Sequence, residues 1–445
     1  MRLPLPRSKR SRLLTGAGIL VLVAAVAVAA AAYEHNRTGS IYHPHARFIP
    51  QPTPTLPKPK RAAVRFAWPL YGYDRNHTRF FPAAASLKPP FRREWKQVRA
   101  SLLEFPPVIS DGRLFQLADN GELRATSTHD GSILWTRRLG TLSASAPAID
   151  GRTVFATVLD RNEASRSGRV YALDADTGAI RWARDLPSPS ESSPLIDDGM
   201  VFFGSQNGTV YALRASNGHP IWTYHAGGAV KASPSLSGGV LYFGDYSGEL
   251  QAVSERTGRR IWISGSGGAL FGSGTFYSTA AVIYGRVYLG NTDGRIYAYD
   301  ASSGRLDWAV QTGSYVYASP AVTNAPGIGP TVYAGSYDGT FYAINARSGH
   351  ISWTFNAHGK ISGSPTILGH IVYFSDLGTH KTYGLSISSG RQLFKAGTGA
   401  FDPVTTDGHN VYLTGTDALY ALTPGREGSS GGGATAAAKA KGTAK

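Results

Sequence analysis

Ala172-Leu173-Asp174-Ala175-Asp176-Thr177-Gly178-Ala179-Ile180-Arg181-Trp182 and Ala298-Tyr299-Asp300-Ala301-Ser302-Ser303-Gly304-Arg305-Leu306-Asp307-Trp308 share one spacing, A-x-D-x-x-x-G-x-x-x-W. Each part of it has a physical use. The small Ala permits close packing, Asp can bond turn amides, Gly supplies a turn conformation, and Trp offers a large apolar area to a neighbour. Aligning the chain on that Trp gives a series: Trp95, Trp135, Trp182, Trp222, Trp262, Trp308, Trp353 and then Phe394, separated by 40, 47, 40, 40, 46, 45 and 41 residues. Ser127, Arg214, Ser254, Asn345 and Ser386 replace the Asp, and Gly384 replaces the Ala, but the Gly and the aromatic ring recur.

Outward from the motif, each repeat carries four strand signals. In one unit these are Ser193-Pro194-Leu195-Ile196, Val201-Phe202-Phe203-Gly204, Thr209-Val210-Tyr211-Ala212-Leu213 and Pro220-Ile221-Trp222. Gln206-Asn207-Gly208 lies between the second and third, matched by Asp119-Asn120-Gly121, Tyr246-Ser247-Gly248, Thr292-Asp293-Gly294 and Tyr337-Asp338-Gly339. Asn-Gly and Asp-Gly pairs accept the positive φ of a tight hairpin. Asn291 and Asp293 therefore read as turn residues rather than calcium ligands, since no bidentate acid follows at loop spacing. Repeats of 40 to 47 residues with four strands each predict an all-β, eight-bladed propeller with four-stranded antiparallel blades. The last unit, 403–422, has three strand signals, whereas Phe91-Arg92-Arg93-Glu94-Trp95 is an outer strand with no inner strands before it. The second is predicted to complete the first and close the ring, which removes open sheet edges.

These residues resemble the tryptophan-docking motif of the PQQ-like, quinoprotein alcohol dehydrogenase-like β-propeller repeat family, from about Trp68 to Leu422. The resemblance implies one of two functions. In the dehydrogenases, a quinone stacks between a Trp floor and a vicinal disulfide, beside a calcium held by acidic and amide side chains, with an Asp base. In the non-catalytic branch, similar to the propeller lipoprotein of the outer-membrane β-barrel assembly machinery, the ring is a scaffold. The chain has no cysteine, which removes the disulfide and any lipid-bearing Cys; seven of its eight Trp sit in the repeat, and Trp68 lies in the lead-in. The expectation is therefore a monomeric, non-enzymatic propeller with no catalytic, cofactor-binding or metal residues. Asp185, Glu191 and Asp402 are the scattered acids that could still converge. No HExxH, no phosphate-cradling Gly-Lys-Ser/Thr loop and no kinase signature occurs. A detached extracellular sensor module stays open as a third class.

The net charge of +16 is unevenly placed. Residues 1–65 hold eleven Lys/Arg against one acid and residues 425–445 four against one, so the body is nearly balanced. A nucleic-acid partner is not expected, because phosphate tracking needs basic residues concentrated on a folded face. Arg2, Arg7, Lys9, Arg10 and Arg12 form a basic tail, 1–12, ahead of the uncharged stretch 13–32. At 1.5 Å per residue, twenty residues match a bilayer core of about 30 Å, so 13–32 is expected to be a transmembrane signal-anchor helix, with a cleaved signal peptide as the alternative. The basic flank stays in the cytoplasm and the rest is exported. Residues 33–64, rich in Pro, read as a linker, in which His43 and His45 are solvated rather than metal-bound. The propeller is expected over 65–424 and a disordered Gly/Ala/Lys tail over 425–445.

The connections between one unit and the next carry the least repeat-like residues. Tyr224, His225, Lys231, Phe271, Phe276, Tyr277, Tyr315, Tyr317, Phe355, Lys360 and Phe401 form a candidate surface for an envelope protein, peptide or glycan, aromatic side chains being favoured anchors. Burial of some as a funnel plug is the competing reading. Insertions at 159–167 and 324–330 are further loop candidates.

Overall fold

The computed structural model describes residues 39–43, 45–51, 67–160, 167–266 and 274–425. The expected basic tail, the apolar segment 13–32, Phe271 and the tail beyond 425 lie outside them, and no helix among the described residues is long and apolar enough to cross a membrane. Within them the chain forms eight antiparallel four-stranded blades, the first seven each running in sequence from an inner strand to an outer one. Blades 1 to 7 occupy 108–138, 148–185, 195–225, 235–265, 281–311, 321–356 and 366–396. Blade 8 takes three strands from 404–424 and its outer strand from Phe91–Val98, with Ala421 opposite Trp95. The ring thus closes between the two ends of the propeller sequence, as the lone outer-strand signal implied.

Third strands such as Thr209–Arg214 are buried on both faces, whereas outer strands such as Pro220–His225 alternate. This follows from the unbroken apolar run Val210–Leu213 in the first and from Trp222 and Tyr224 alternating with Thr223 and His225 in the other. In every blade the pairing of third and outer strands slips by one residue, after Ala172 in blade 2 and after Ala298 in blade 5, for example. The bulge sets the motif's Ala directly opposite its Trp, so a small residue leaves room for the indole.

Each indole then reaches the next blade. The ring Nε1 of Trp95, Trp135, Trp182, Trp222, Trp262, Trp308 and Trp353 donates to a backbone carbonyl in the following blade's turn at 2.8–3.2 Å. The turn glycine lies flat against the same ring. Gly178 has φ +67°, and a Cβ there would stand 2.7 Å from Trp135, so both backbone conformation and space require glycine. Asp174 and Asp300 accept bonds from the turn amides at 2.9–3.0 Å. Trp308 is 1% exposed and Trp135 8%; the others are half-buried.

Phe394 has no such partner. Its neighbour, blade 8, joins third and outer strands from opposite ends of the sequence, so no turn connects them. Without that turn there is neither a glycine to lie under an indole nor a carbonyl to receive it, and Phe394 packs edge-on against Phe91 instead, centroids 5.5 Å apart.

A segment that belongs to no blade fills one end of the axis. Strand direction places the 1–2 and 3–4 turns on one rim, called lower here, and the 2–3 turns and blade-to-blade connections on the upper rim. Residues 67–81 run around the lower part of the channel. Trp68 pairs with Ile109 of blade 1. The carbonyls of Pro69, Arg75, Asn76, Thr78 and Arg79 then accept the amides of Ile149, Leu236, Val282, Val322 and Ile367 at 2.7–2.9 Å. These amides come from the same position of the inner strand in blades 2, 4, 5, 6 and 7, where an uncovered sheet edge would leave its donors without partners.

Part of the expected linker is also fixed. Ile41–Tyr42 adds to the outer strand of blade 5, Ile41 opposite Ala309 and Tyr42 opposite Trp308. Phe48 stacks on Tyr284 at 5.1 Å, with the guanidinium groups of Arg286 and Arg347 at 5.3 and 5.1 Å.

Candidate functional site

The upper rim is built from the connections that enter the inner strands. Their recurring Ser-Pro start puts a hydroxyl at the axis in successive blades: Ser193, Ser233, Thr279, Ser319 and Ser364. Each accepts the backbone amide of the preceding blade's equivalent residue, from Ala146 to Ser193 at 2.9 Å, through 3.0–3.1 Å steps, to Ser319 on Ser364. Asp402 ends the series by accepting the Ser364 amide at 2.6 Å. Blade 1 carries Pro106 at this position, which has no amide hydrogen and no hydroxyl, so the belt is open there.

Above the belt lies a cup of about 110 Å³, walled by Phe105, Tyr277, Tyr317 and Phe401 and floored by Tyr71 of the axial segment. The Tyr71 hydroxyl meets Ser364 Oγ at 3.0 Å, and the Arg79 guanidinium lies 4.1 Å from the Tyr71 ring centroid. Burial pushes the Tyr71 phenol up to about 12, against the opposing pull of Arg79. Three carboxylates line the cup: Glu104, Glu191 and Asp402. Glu191 pairs with Lys231 Nζ at 2.7 Å and accepts the Tyr277 hydroxyl at 3.4 Å. Asp402 pairs with the buried Arg79 at 3.3 Å; burial still raises its pKa, with Arg79 opposing. Glu104 has no ion-pair partner among the described residues, and desolvation, followed by the charges of Asp119, Glu191 and Asp402, raises its carboxyl to about 7.

From the cup an arc of tyrosines extends along blades 4 to 6. Lys231 Nζ lies over Tyr246 (4.9 Å), Tyr246 is 6.2 Å from Tyr277, Tyr277 5.6 Å from Tyr317 and Tyr317 4.9 Å from Tyr337. Lys360 Nζ caps the far end, 5.6 Å over Tyr337. Tyr315, 51% exposed, stands 5.9 Å from Tyr317.

Of the residues expected on the candidate surface, the fold gathers Lys231, Tyr277, Tyr315, Tyr317, Lys360 and Phe401 here. Phe276 is wholly buried against Tyr297 and cements blades 4 and 5, so it cannot meet a partner. Tyr224 and Phe355 are half-buried side chains whose rings lie against Phe243 and Tyr383 of the next blade. His225 is exposed on an outer strand. Tyr246 and Tyr337 were hidden as turn residues, although tyrosine where other repeats have Asp119, Gln206 or Thr292 is a signal. Of the three scattered acids, Glu191 and Asp402 converge, while Asp185 pairs with Arg169 on an outer strand. Asn291 and Asp293 cap their turn through Asp293 and Arg295 amides at 2.8 and 2.9 Å. No group of three or more His, Asp or Glu able to hold a metal occurs among the described residues.

The quinone site of the resemblance does not fit these residues. The repeat indoles are committed to blade boundaries, Trp68 is enclosed beside Tyr73 and Phe81, and the cup is smaller than the 300–1,000 Å³ or so of small-molecule sites.

A family model described as outer membrane protein assembly factor BamB matches residues 92–165, 163–269, 247–412 and 325–442. Among solved structures, BamB from Moraxella catarrhalis is 20% identical, TM-score 0.62, over 75% of this chain and 99% of its own. A europium-containing methanol dehydrogenase is 13% identical, TM-score 0.66, over 80% and 98%. Quinohemoprotein alcohol dehydrogenase from Comamonas testosteroni is 15% identical, TM-score 0.65, over 80% of each. No curated protein matches the chain. At such identities the structural likeness speaks for the fold alone.

Proposed function

The chain belongs to the PQQ-like β-propeller repeat family, and from that premise we propose that it is a rigid scaffold at the cell envelope that binds a protein or peptide through its upper rim. The observation that carries this is the tyrosine arc with exposed Tyr315. It is a set of rigid aromatic anchors on the rim whose connections vary most between repeats, and interface energy concentrates in such residues. The family description, an assembly factor, agrees with a role exercised through contacts rather than turnover. Residues 13–32 hold the ring to the cytoplasmic membrane, with the propeller outside the cytoplasm. Twenty uncharged residues behind a basic tail support this, and Ser40 and Ile41, already bonded to the outer strand of blade 5, keep the tether short.

The dehydrogenase alternative is tested directly. The full chain in detergent, given pyrroloquinoline quinone, calcium and alcohols or sugars, is expected to show no cofactor absorbance change and no dye reduction. Turnover would overturn the scaffold reading.

A further inference from the structure

We propose that the axial cup receives the cationic end of a single lysine or arginine side chain presented by a polypeptide partner, with Glu104 as its counter-ion. This rests on the upper-rim reading above and names what that rim recognises.

Size comes first. A space of about 110 Å³ takes only about four waters at their liquid share of ~30 Å³, or the tip of one long side chain. Charge comes second. Glu104, Glu191 and Asp402 face the cup against Lys231 and, beneath its floor, Arg79. Two of these acids are matched within the chain, Glu191 by Lys231 and Asp402 by Arg79. Glu104 is matched by nothing among the described residues, and it stands where Pro106 interrupts the hydroxyl belt, so no neighbouring amide or hydroxyl of that series neutralises it. A half-buried carboxylate in this position costs free energy unless a cation meets it. The walls come third. Phe105, Tyr277, Tyr317 and Phe401 present ring faces and edges to whatever enters, and ring faces attract ammonium and guanidinium groups. The chain displays the same recognition on itself at the cup's edge, where Lys231 lies over Tyr246 while pairing with Glu191. A polypeptide is favoured over a free amine because the tyrosine arc continues outward from the cup and offers contact area to the residues flanking the inserted one.

The test is calorimetric titration of the full chain in detergent with acetylated, amidated tripeptides Gly-Lys-Gly, Gly-Arg-Gly, Gly-norleucine-Gly and Gly-Glu-Gly, and with spermidine. A cationic peptide is expected to bind at least about tenfold more tightly than the norleucine peptide, as for a charge-assisted contact. Glu104→Gln should abolish that preference without lowering the unfolding midpoint, and Phe401→Ala should weaken every peptide. Equal binding of norleucine or glutamate peptides, a preference that survives Glu104→Gln, spermidine binding as well as the peptides do, or no binding at all would overturn the proposal. The two readings fail separately. Uncharged or acidic peptides that bind and are lost in Tyr317→Ala leave the rim reading standing, whereas silence of every peptide together with an empty rim in the crosslinking described below removes both.

Discussion

The two ends of the propeller axis are treated differently by the same chain. At the lower end, inner-strand amides meet carbonyls of residues 67–81, so closure is made by backbone, with clefts left between that segment and blades 2 to 4. At the upper end, the amides are taken by side-chain hydroxyls of the next blade, which satisfies them while keeping the axis open as a lined cup. A ring of radial sheets must cover its inner edges somewhere. Covering one end with main chain and the other with side chains yields a stiff vessel whose contents are set by a few residues at one mouth.

The largest effects should come from breaking the closed end or the seams between blades. Trp68→Ala and Trp308→Ala each empty a fully enclosed indole site and are expected to cost about 3–5 kcal/mol in urea unfolding; a loss under about 1 kcal/mol would show that the ring is not held there. Asp402→Asn, which leaves Arg79 buried without its carboxylate, should cost up to the same order, about 3 kcal/mol, and should loosen Tyr71 above it. Glu104 gives a smaller, pH-dependent signature. Its folded pKa, about 7, lies above the ordinary carboxylate value, so ionisation opposes folding. The stability of the unliganded protein should be full below about pH 4.5 and fall as the pH rises to about 7, while Glu104→Gln should lack that fall. Parallel midpoint-versus-pH curves for the two proteins would contradict this. Tyr315→Ala, at the open end, should move stability by no more than about 0.5 kcal/mol and act only on binding.

Sequence reasoning reached the blades because their signals are local. Trp182 and Gly178 lie four residues apart, and the aromatic-turn spacing survives substitution of the Asp in Ser127 or Asn345. It reached the composite blade because an outer strand without inner strands has to be used. It did not reach the axial segment. Residues 67–81 occur once, and they bind through carbonyl oxygens, which every residue type carries. Ring closure also explains in physical terms why Phe394 stands where tryptophan is otherwise found, a difference that spacing alone left unread. At the upper rim, Tyr315, Tyr317 and Phe401 stood out as aromatic loop residues, whereas Glu104 in Leu103-Glu104-Phe105 carries no pattern. Its role arises only from a cavity assembled by all eight connections and the axial segment. Phe276 shows the converse error: an aromatic residue in a connection can be core when the connection folds inward.

The difference between the two ends is tested most directly by placing a photocrosslinking amino acid at Tyr315 on the upper rim and, separately, at Arg152 on the lower rim of the full chain in its own cells. Both side chains are exposed, so each reports what lies against its rim. Discrete protein adducts from position 315, lost when Tyr317 is also changed to Ala, and none from position 152 are the expected result. Adducts from 152 with a silent 315 would place the working face at the plugged end and contradict it.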